Sequence, residues 1–297
     1  MIMIITSSLK NIQFKSYLIT GATGQLGQLV IQALLQHTAA ENIVALVRNI
    51  DKAQSLKQQG IELRLFNYDQ PETLIPALHN VDKLLLISAN EIGRRTPQHK
   101  AVIDAAVAAK VEHIAYTSLL NATDNLLGLA QEHRETEELI LQSGLKYTFL
   151  RNNWYSENYL GNVKHTAETG TLYGSAQNGK ISSASRLDYA EAAAKVLASS
   201  GHENKTYELA GSNHFTFADL ASYIALASGK TVQYQDISPE DYTQALLTAG
   251  LPQALVTVIV DADVQTVNGA MYSESKDLEH LIGRKTTHIQ DQVKALF

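Results

Sequence analysis

The chain has no cysteine among its 297 residues. Disulfides, thiol nucleophiles, thiolate zinc sites and iron–sulfur clusters are therefore excluded, and an intracellular home is favoured. There is no excess of basic charge. Lys and Arg number 24 against 30 Asp and Glu, a net charge of -6, whereas nucleic acid binding needs a concentrated basic face. No apolar run reaches the roughly 18–20 residues that span a bilayer. The opening MIMIITSSLKNIQFK has five apolar residues in a row, short of the apolar region and cleavage site of a signal peptide. A cytoplasmic protein is expected, with residues 1–15 as a short extra segment of no assigned function. Internal repeats, low-complexity stretches and obvious linkers are also lacking. What is present is an ordinary globular composition, 45% hydrophobic and 18% charged, enough for a full core.

Short β-type runs alternate with longer helical stretches. The strand candidates are residues 17–20, 42–48, 61–66, 83–88, 113–118 and 146–151. Several are apolar almost throughout, as strands covered on both faces are. Helical segments at 25–37, 51–58, 97–110 and 131–143 lie between them. The pattern predicts an α/β, Rossmann-type doubly wound parallel sheet with right-handed crossovers. After about Asn152 it loosens. Helices are expected at 186–199 and 215–230, strands at 205–211 and 231–235, and a mostly helical tail. The expected division is a dinucleotide-binding domain over 16–152, with 183–211 returning to it, and a smaller C-terminal substrate lobe over 153–297.

The first strand runs into Gly21-Ala22-Thr23-Gly24-Gln25-Leu26-Gly27 and then a helix. A phosphate at a helix N-terminus is held by free N–H groups and the positive dipole end, and Cβ atoms obstruct that approach. Gly21 allows the turn, Gly24 the approach of a pyrophosphate, and Gly27 the seating of the helix on the sheet. Glycine spacing alone is weak. Placed after the first strand of a βαβ pattern, it points to a dinucleotide. The second strand ends in Val47-Arg48-Asn49, where an NAD site carries Asp or Glu for the ribose 2′-hydroxyl. An acid would repel a 2′-phosphate; Arg48 attracts it. NADPH is therefore favoured as cofactor, with NADH as the alternative. Asp51 reads as the cap of the next helix.

Many short-chain dehydrogenases use Tyr-x-x-x-Lys as proton donor. The only match, Tyr272 to Lys276, falls far beyond the sheet and reads as coincidence, while Tyr116 is followed four residues later by Leu120. Alcohol dehydrogenase and epimerase chemistry are thereby disfavoured. The ten histidines show no metal-binding spacing, and no metal site is expected. His133 opens a helix near the carboxyl edge, with a core role as the competing reading. Ser88, Ala89 and Asn90 follow the fourth strand and are expected along the cofactor. Residues 151–159, RNNWYSENY, follow the sixth strand at the edge where ligands bind. Their aromatics can stack on a flat ring and their amides can bond a carbonyl oxygen. Trp154 and Tyr159 could instead pack the lobe onto the sheet.

YLITGATGQLG, IVALVRN, KLLLIS, PQHKAVIDAA, HIAYTSLL, KYTFLRNNWYSENYL and GHENKTYELAG together resemble the NmrA-like atypical short-chain dehydrogenases, on the branch that reduces quinones and triphenylmethane dyes. The likeness runs from about Tyr17 to the C-terminus. It implies NADPH-dependent quinone reduction without a flavin. The cofactor segments it implies are Gly21, Thr23, Gly24, Gln25, Leu26 and Gly27; Arg48; Ser88, Asn90 and Thr117; and Asn152, Asn153, Trp154, Tyr155, Ser156 and Glu157. It further implies Asn158 near the quinone, and Tyr116 is expected to shape the substrate site. A quinone is an electron-poor acceptor that needs positioning more than a tuned acid, which suits the missing Tyr–Lys pair. A non-catalytic NADP(H) redox sensor, or a reductase of triphenylmethane or azo dyes, are the competing functions. The sequence leaves monomer or homodimer open.

Overall fold

A computed structural model describes residues 16–297. The leader at 1–15, for which no function was expected, lies outside the described residues. In chain order the first elements are β1 (Tyr17–Ile19), α1 (Gln25–Leu34), β2 (Ile43–Val47), α2 (Gln54–Gln58), β3 (Glu62–Leu65), α3 (Leu74–Ala77), β4 (Lys83–Leu86), α4 (Arg95–Ala108), β5 (His113–Leu119), α5 (Ala130–Ser143) and β6 (Lys146–Asn152). Strands β1, β2, β4 and β5 are buried at every position, which is why they read as unbroken apolar runs. Edge strand β3 is only half covered. The expected cap Asp51 is instead the first residue of a short 3-10 turn, and Asn49 Oδ1 accepts the Lys52 N–H at 3.1 Å.

The second half continues with α6 (Glu157–Leu160), α7 (Val163–Thr169), β7 (Thr171–Gly174), α8 (Arg186–Ala198), β8 (Lys205–Leu209), α9 (Phe217–Ser228), β9 (Gln233–Asp236), α10 (Pro239–Thr248), α11 (Gln253–Val267), α12 (Asp277–Ile282) and α13 (Ile289–Lys294). Helices α8 and α9 start at capping boxes, Ser185 with Asp188 and Thr216 with Asp219. Helix α9 stops at Gly229 in the left-handed region.

Seven strands form one parallel sheet in the order β3-β2-β1-β4-β5-β6-β8. The order reverses between β1 and β4, so their carboxyl ends open the crevice where such sheets take ligands. Strand alternation divides the core. Ile19, Leu85, Ala115, Leu150 and Leu209 face α1 and α8. Leu18, Leu84, Ile114, Tyr116 and Phe149 face the side covered by α3, α4 and α5. A third cluster, around Phe215, Phe217, Leu220 and Ile224, holds the C-terminal elements together, with β7 and β9 as a separate parallel pair. Among the described residues no helix is long and apolar enough to cross a membrane.

Candidate active site

The loop after β1 closes on itself. Gly21 sits at φ +59, and its carbonyl accepts the Gly24 N–H at 2.9 Å. A Cβ on Gly27 would overlap that same carbonyl, so the chain can make this turn only without a side chain there. Helix α1 begins with no side-chain cap and no acid in its first turn. Its first helical bond runs from Gln28 N to Gly24 O, leaving the N–H groups of Gln25, Leu26 and Gly27 without intrahelical partners. Thr23, Gly24 and Gln25 are exposed. The result is an uncapped positive helix end beside a turn with glycine at its three tight positions, which fits a dinucleotide pyrophosphate.

The turn after β4 is pinned to this loop. The Ile87 N–H donates to Thr20 Oγ1 at 2.8 Å, the Ser88 N–H to Thr117 Oγ1 at 2.8 Å, and the Ala89 N–H to His99 Nε2 at 3.0 Å. Because Nε2 accepts, His99 carries its proton on Nδ1 and donates it to Thr136 Oγ1 at 2.9 Å. Burial, with Arg95 nearby, pulls this imidazole down to about 3. It is thus a neutral brace for the turn. Asn90 beyond it is exposed. Arg48 is 67% exposed at the end of β2, with Glu91 Oε1 3.7 Å from its Nη1.

Thr117 and Asn152 continue the sheet face of Ala115 and Leu150, toward α1 and α8. Asn152 is buried beside Tyr155, and its Oδ1 has no partner among the described residues. Tyr189 of α8 packs edge-on to Tyr155 at 5.5 Å, and its buried hydroxyl lies near the Ala184 N–H without a short hydrogen bond among the described residues. Arg186 covers the other side of Tyr155 at 4.5 Å and donates to Asn158 Oδ1 at 2.9 Å. Buried polar atoms are normally paired. The unpaired Asn152 Oδ1, beside an aromatic ring at the carboxyl edge, is a position that a polar ligand can complete.

The rest of the 152–158 segment does different work. Asn153 donates both amide protons, to the carbonyls of Ser182 and Met271. Ser156 pairs with Ser183 at 2.8 Å. Glu157 accepts the Arg186 N–H at the start of α8. These three side chains join the C-terminal elements to the sheet, and Trp154 and Tyr159 pack on the lobe core.

Tyr116 requires a correction. It was expected to shape the substrate site, but its side chain is completely buried and faces α4 and α5. Its hydroxyl, pushed well above the ordinary phenol range by burial, donates to His133 Nδ1 at 2.8 Å. One residue of strand alternation separates it from Thr117, which faces the other side. His133 is likewise a core histidine, held neutral by burial. On the same side Glu137 binds Ser118 at 2.5 Å and Arg151 at 2.6 Å, and Arg151 also reaches Glu208 at 2.8 Å. Tyr272 and Lys276 stand apart from the crevice: the tyrosine donates to Glu274 and the lysine pairs with Glu279.

The model of the NmrA-like family matches residues 14–294. The chain belongs to the NmrA-like family. Among NmrA-like relatives, quinone oxidoreductase 2 of Escherichia coli K12 is 50% identical over 279 residues, 94% of this chain and 98% of that protein. The crystal structure of an NADPH-dependent quinone oxidoreductase from Escherichia coli, complexed with NADPH, superposes with a TM-score of 0.93 at 50% identity, covering 95% and 99% of the two chains. The Citrobacter triphenylmethane reductase complexed with NADP(H) superposes with a TM-score of 0.91 at 38% identity, covering 95% and 100%.

Three residues beside Arg48 and Tyr155 were not singled out in the sequence. Glu91, Tyr189 and Arg186 reach these groups from a turn and from a helix that read as scaffold. The Arg-Leu-Asp-Tyr start of that helix, just past a capping serine, was the available signal.

Proposed function

We propose that this chain is an NADPH-dependent reductase acting on quinones. The observation that carries it is the full-length similarity to the Escherichia coli quinone oxidoreductase solved with NADPH, together with an uncapped, glycine-turned cradle that fits the same cofactor. The turn from Gly21 to Gly27, including Thr23, Gln25 and Leu26, takes the pyrophosphate on its N–H groups. Arg48 takes the 2′-phosphate through a charge-assisted contact. Ser88, Asn90 and Thr117 run beside the middle of the cofactor. Asn152 orients the carboxamide end through its unpartnered Oδ1, with Tyr155 beside it. Asn158, exposed beside Arg186, lies toward the quinone.

When bound, NADPH supplies a hydride from C4 of its nicotinamide, which with one proton converts a quinone to a hydroquinone. The protein's part is positioning and exclusion of water. Trp154 and Tyr159 form apolar wall where the lobe meets the sheet. Among the described residues no Tyr–Lys pair stands at this edge, which suits an acceptor that needs hydride more than a tuned acid. Triphenylmethane dyes are a second substrate class, favoured by the Citrobacter reductase superposition.

The test follows NADPH absorbance against benzoquinones, naphthoquinones and cationic dyes. Oxidation with quinones is expected. NADPH binding without oxidation across the panel would replace this reading with a redox sensor.

A further inference from the structure

The end of β2 lacks the acid that an NAD site carries there, yet the fold supplies one at the same place from a different strand. Glu91 lies in the turn after β4, and its Oε1 approaches Arg48 Nη1 at 3.7 Å. This carboxylate does not depend on Arg48 for its position. Its Oε2 accepts from Arg94 Nη1 at 3.0 Å and from Gln98 Nε2 at 3.0 Å. Arg94 is anchored in turn to Asp69 at 2.7 Å, and Gln98 is buried in α4. Among the described residues Arg48 is the only partner of Oε1. Tyr68, after β3, borders both charges and lies beside Thr20. The turns after β2, β3 and β4 thus converge on one spot that holds an exposed cation and an anchored anion.

We propose that Glu91 sets the balance between NADPH and NADH, competing with the 2′-phosphate for Arg48 and accepting a hydrogen bond from the free ribose 2′-hydroxyl of NADH. The proposal rests on the assignment of Arg48 to the phosphate. A phosphate that draws Arg48 away cannot draw Glu91 with it, because Oε2 is held twice. The carboxylate stays in the pocket and repels the phosphate at close range. The same fixed oxygen offers NADH a charge-assisted acceptor. Both devices, the cation for one cofactor and the acid for the other, coexist within one site. The pair is exposed to water, so each effect is severalfold rather than many orders.

The experiment measures dissociation constants calorimetrically for NADPH and NADH, with 2′-AMP and 5′-AMP as adenylate-only probes. The chains compared are the wild type, Glu91→Gln and Arg48→Ala. Glu91→Gln is expected to tighten NADPH and 2′-AMP about three- to fivefold and to weaken NADH about twofold. The ratio of the NADH to the NADPH dissociation constant then rises about six- to tenfold. A ratio in Glu91→Gln that equals or falls below the wild-type value overturns the proposal, whether or not the melting temperature moves. Arg48→Ala separates the two levels: a wild-type ratio in that chain overturns the phosphate assignment itself.

Discussion

The two faces of the β5–β6 pair carry the same residue chemistry to opposite ends. Toward α4 and α5, Tyr116, His133, His99 and Ser118 each find a protein partner within hydrogen-bond reach. Toward α1 and α8, Asn152 Oδ1 is buried with no partner among the described residues, beside a helix start that has no cap. These four groups, satisfied within the protein, fix structure and leave nothing for a ligand, while Arg95 Nη1, Gln98 Oε1 and Glu132 Oε2 on α4 and α5 are buried without a hydrogen bond among the described residues. An unsatisfied group costs stability unless something else completes it. At these residues the contrast sets a bracing network around Tyr116 against an open position at the carboxyl end of β6.

The strongest way to break this contrast is at the glycine turn on the side of that open position. Gly27→Ala forces a Cβ into the Gly21 carbonyl. It is expected to lower unfolding stability by about 2–3 kcal/mol and kcat/KM for NADPH by about a hundredfold. Denaturant titration and steady-state kinetics check both. Wild-type kinetics in that chain would mean that the close turn is not the cofactor cradle.

The bracing network can be sharpened by pH. His99 is pulled from its ordinary 6.5 to about 3, so the unfolded chain binds the extra proton between those values. Its contribution to stability is complete above 6.5 and is lost as pH falls toward 3, up to about 4 kcal/mol. Asp263 works in the opposite sense. Burial raises its carboxyl to about 7, so its contribution is complete below the ordinary 3.8 and declines as pH rises through 7. The difference between wild type and His99→Gln, in urea unfolding at pH 4, 5 and 7, isolates the histidine. The substituted chain should lose less stability on acidification. Equal slopes would show that His99 is not held neutral.

Much of this molecule was legible in the chain. Strands β1, β2, β4 and β5 announced themselves because both faces are covered, and the glycine turn because its spacing sits between a strand and a helix. That same double burial hid which way each side chain points. A strand apolar on both faces has no alternation to read, so Tyr116 and Thr117 could be told apart only by register. The joint made by Asn153, Ser156 and Glu157 was hidden for a similar reason. Amides and acids suited to a ligand serve equally well to clamp carbonyls from residues 182 and 271. Glu91 was invisible because its meeting with Arg48 depends on how two turns approach across β1 and β4, and nothing local in either turn signals it.

One paired measurement bears most directly on the claim that the α1 and α8 side holds the cofactor: NADPH affinity and melting temperature in Tyr116→Phe and Asn152→Ala. Tyr116→Phe should lose about 1–2 kcal/mol of stability while its NADPH dissociation constant stays within about twofold of wild type. Asn152→Ala should bind NADPH about tenfold more weakly, roughly one hydrogen bond. The reverse pattern, weakened NADPH in Tyr116→Phe and wild-type affinity in Asn152→Ala, would contradict the assignment of the two faces.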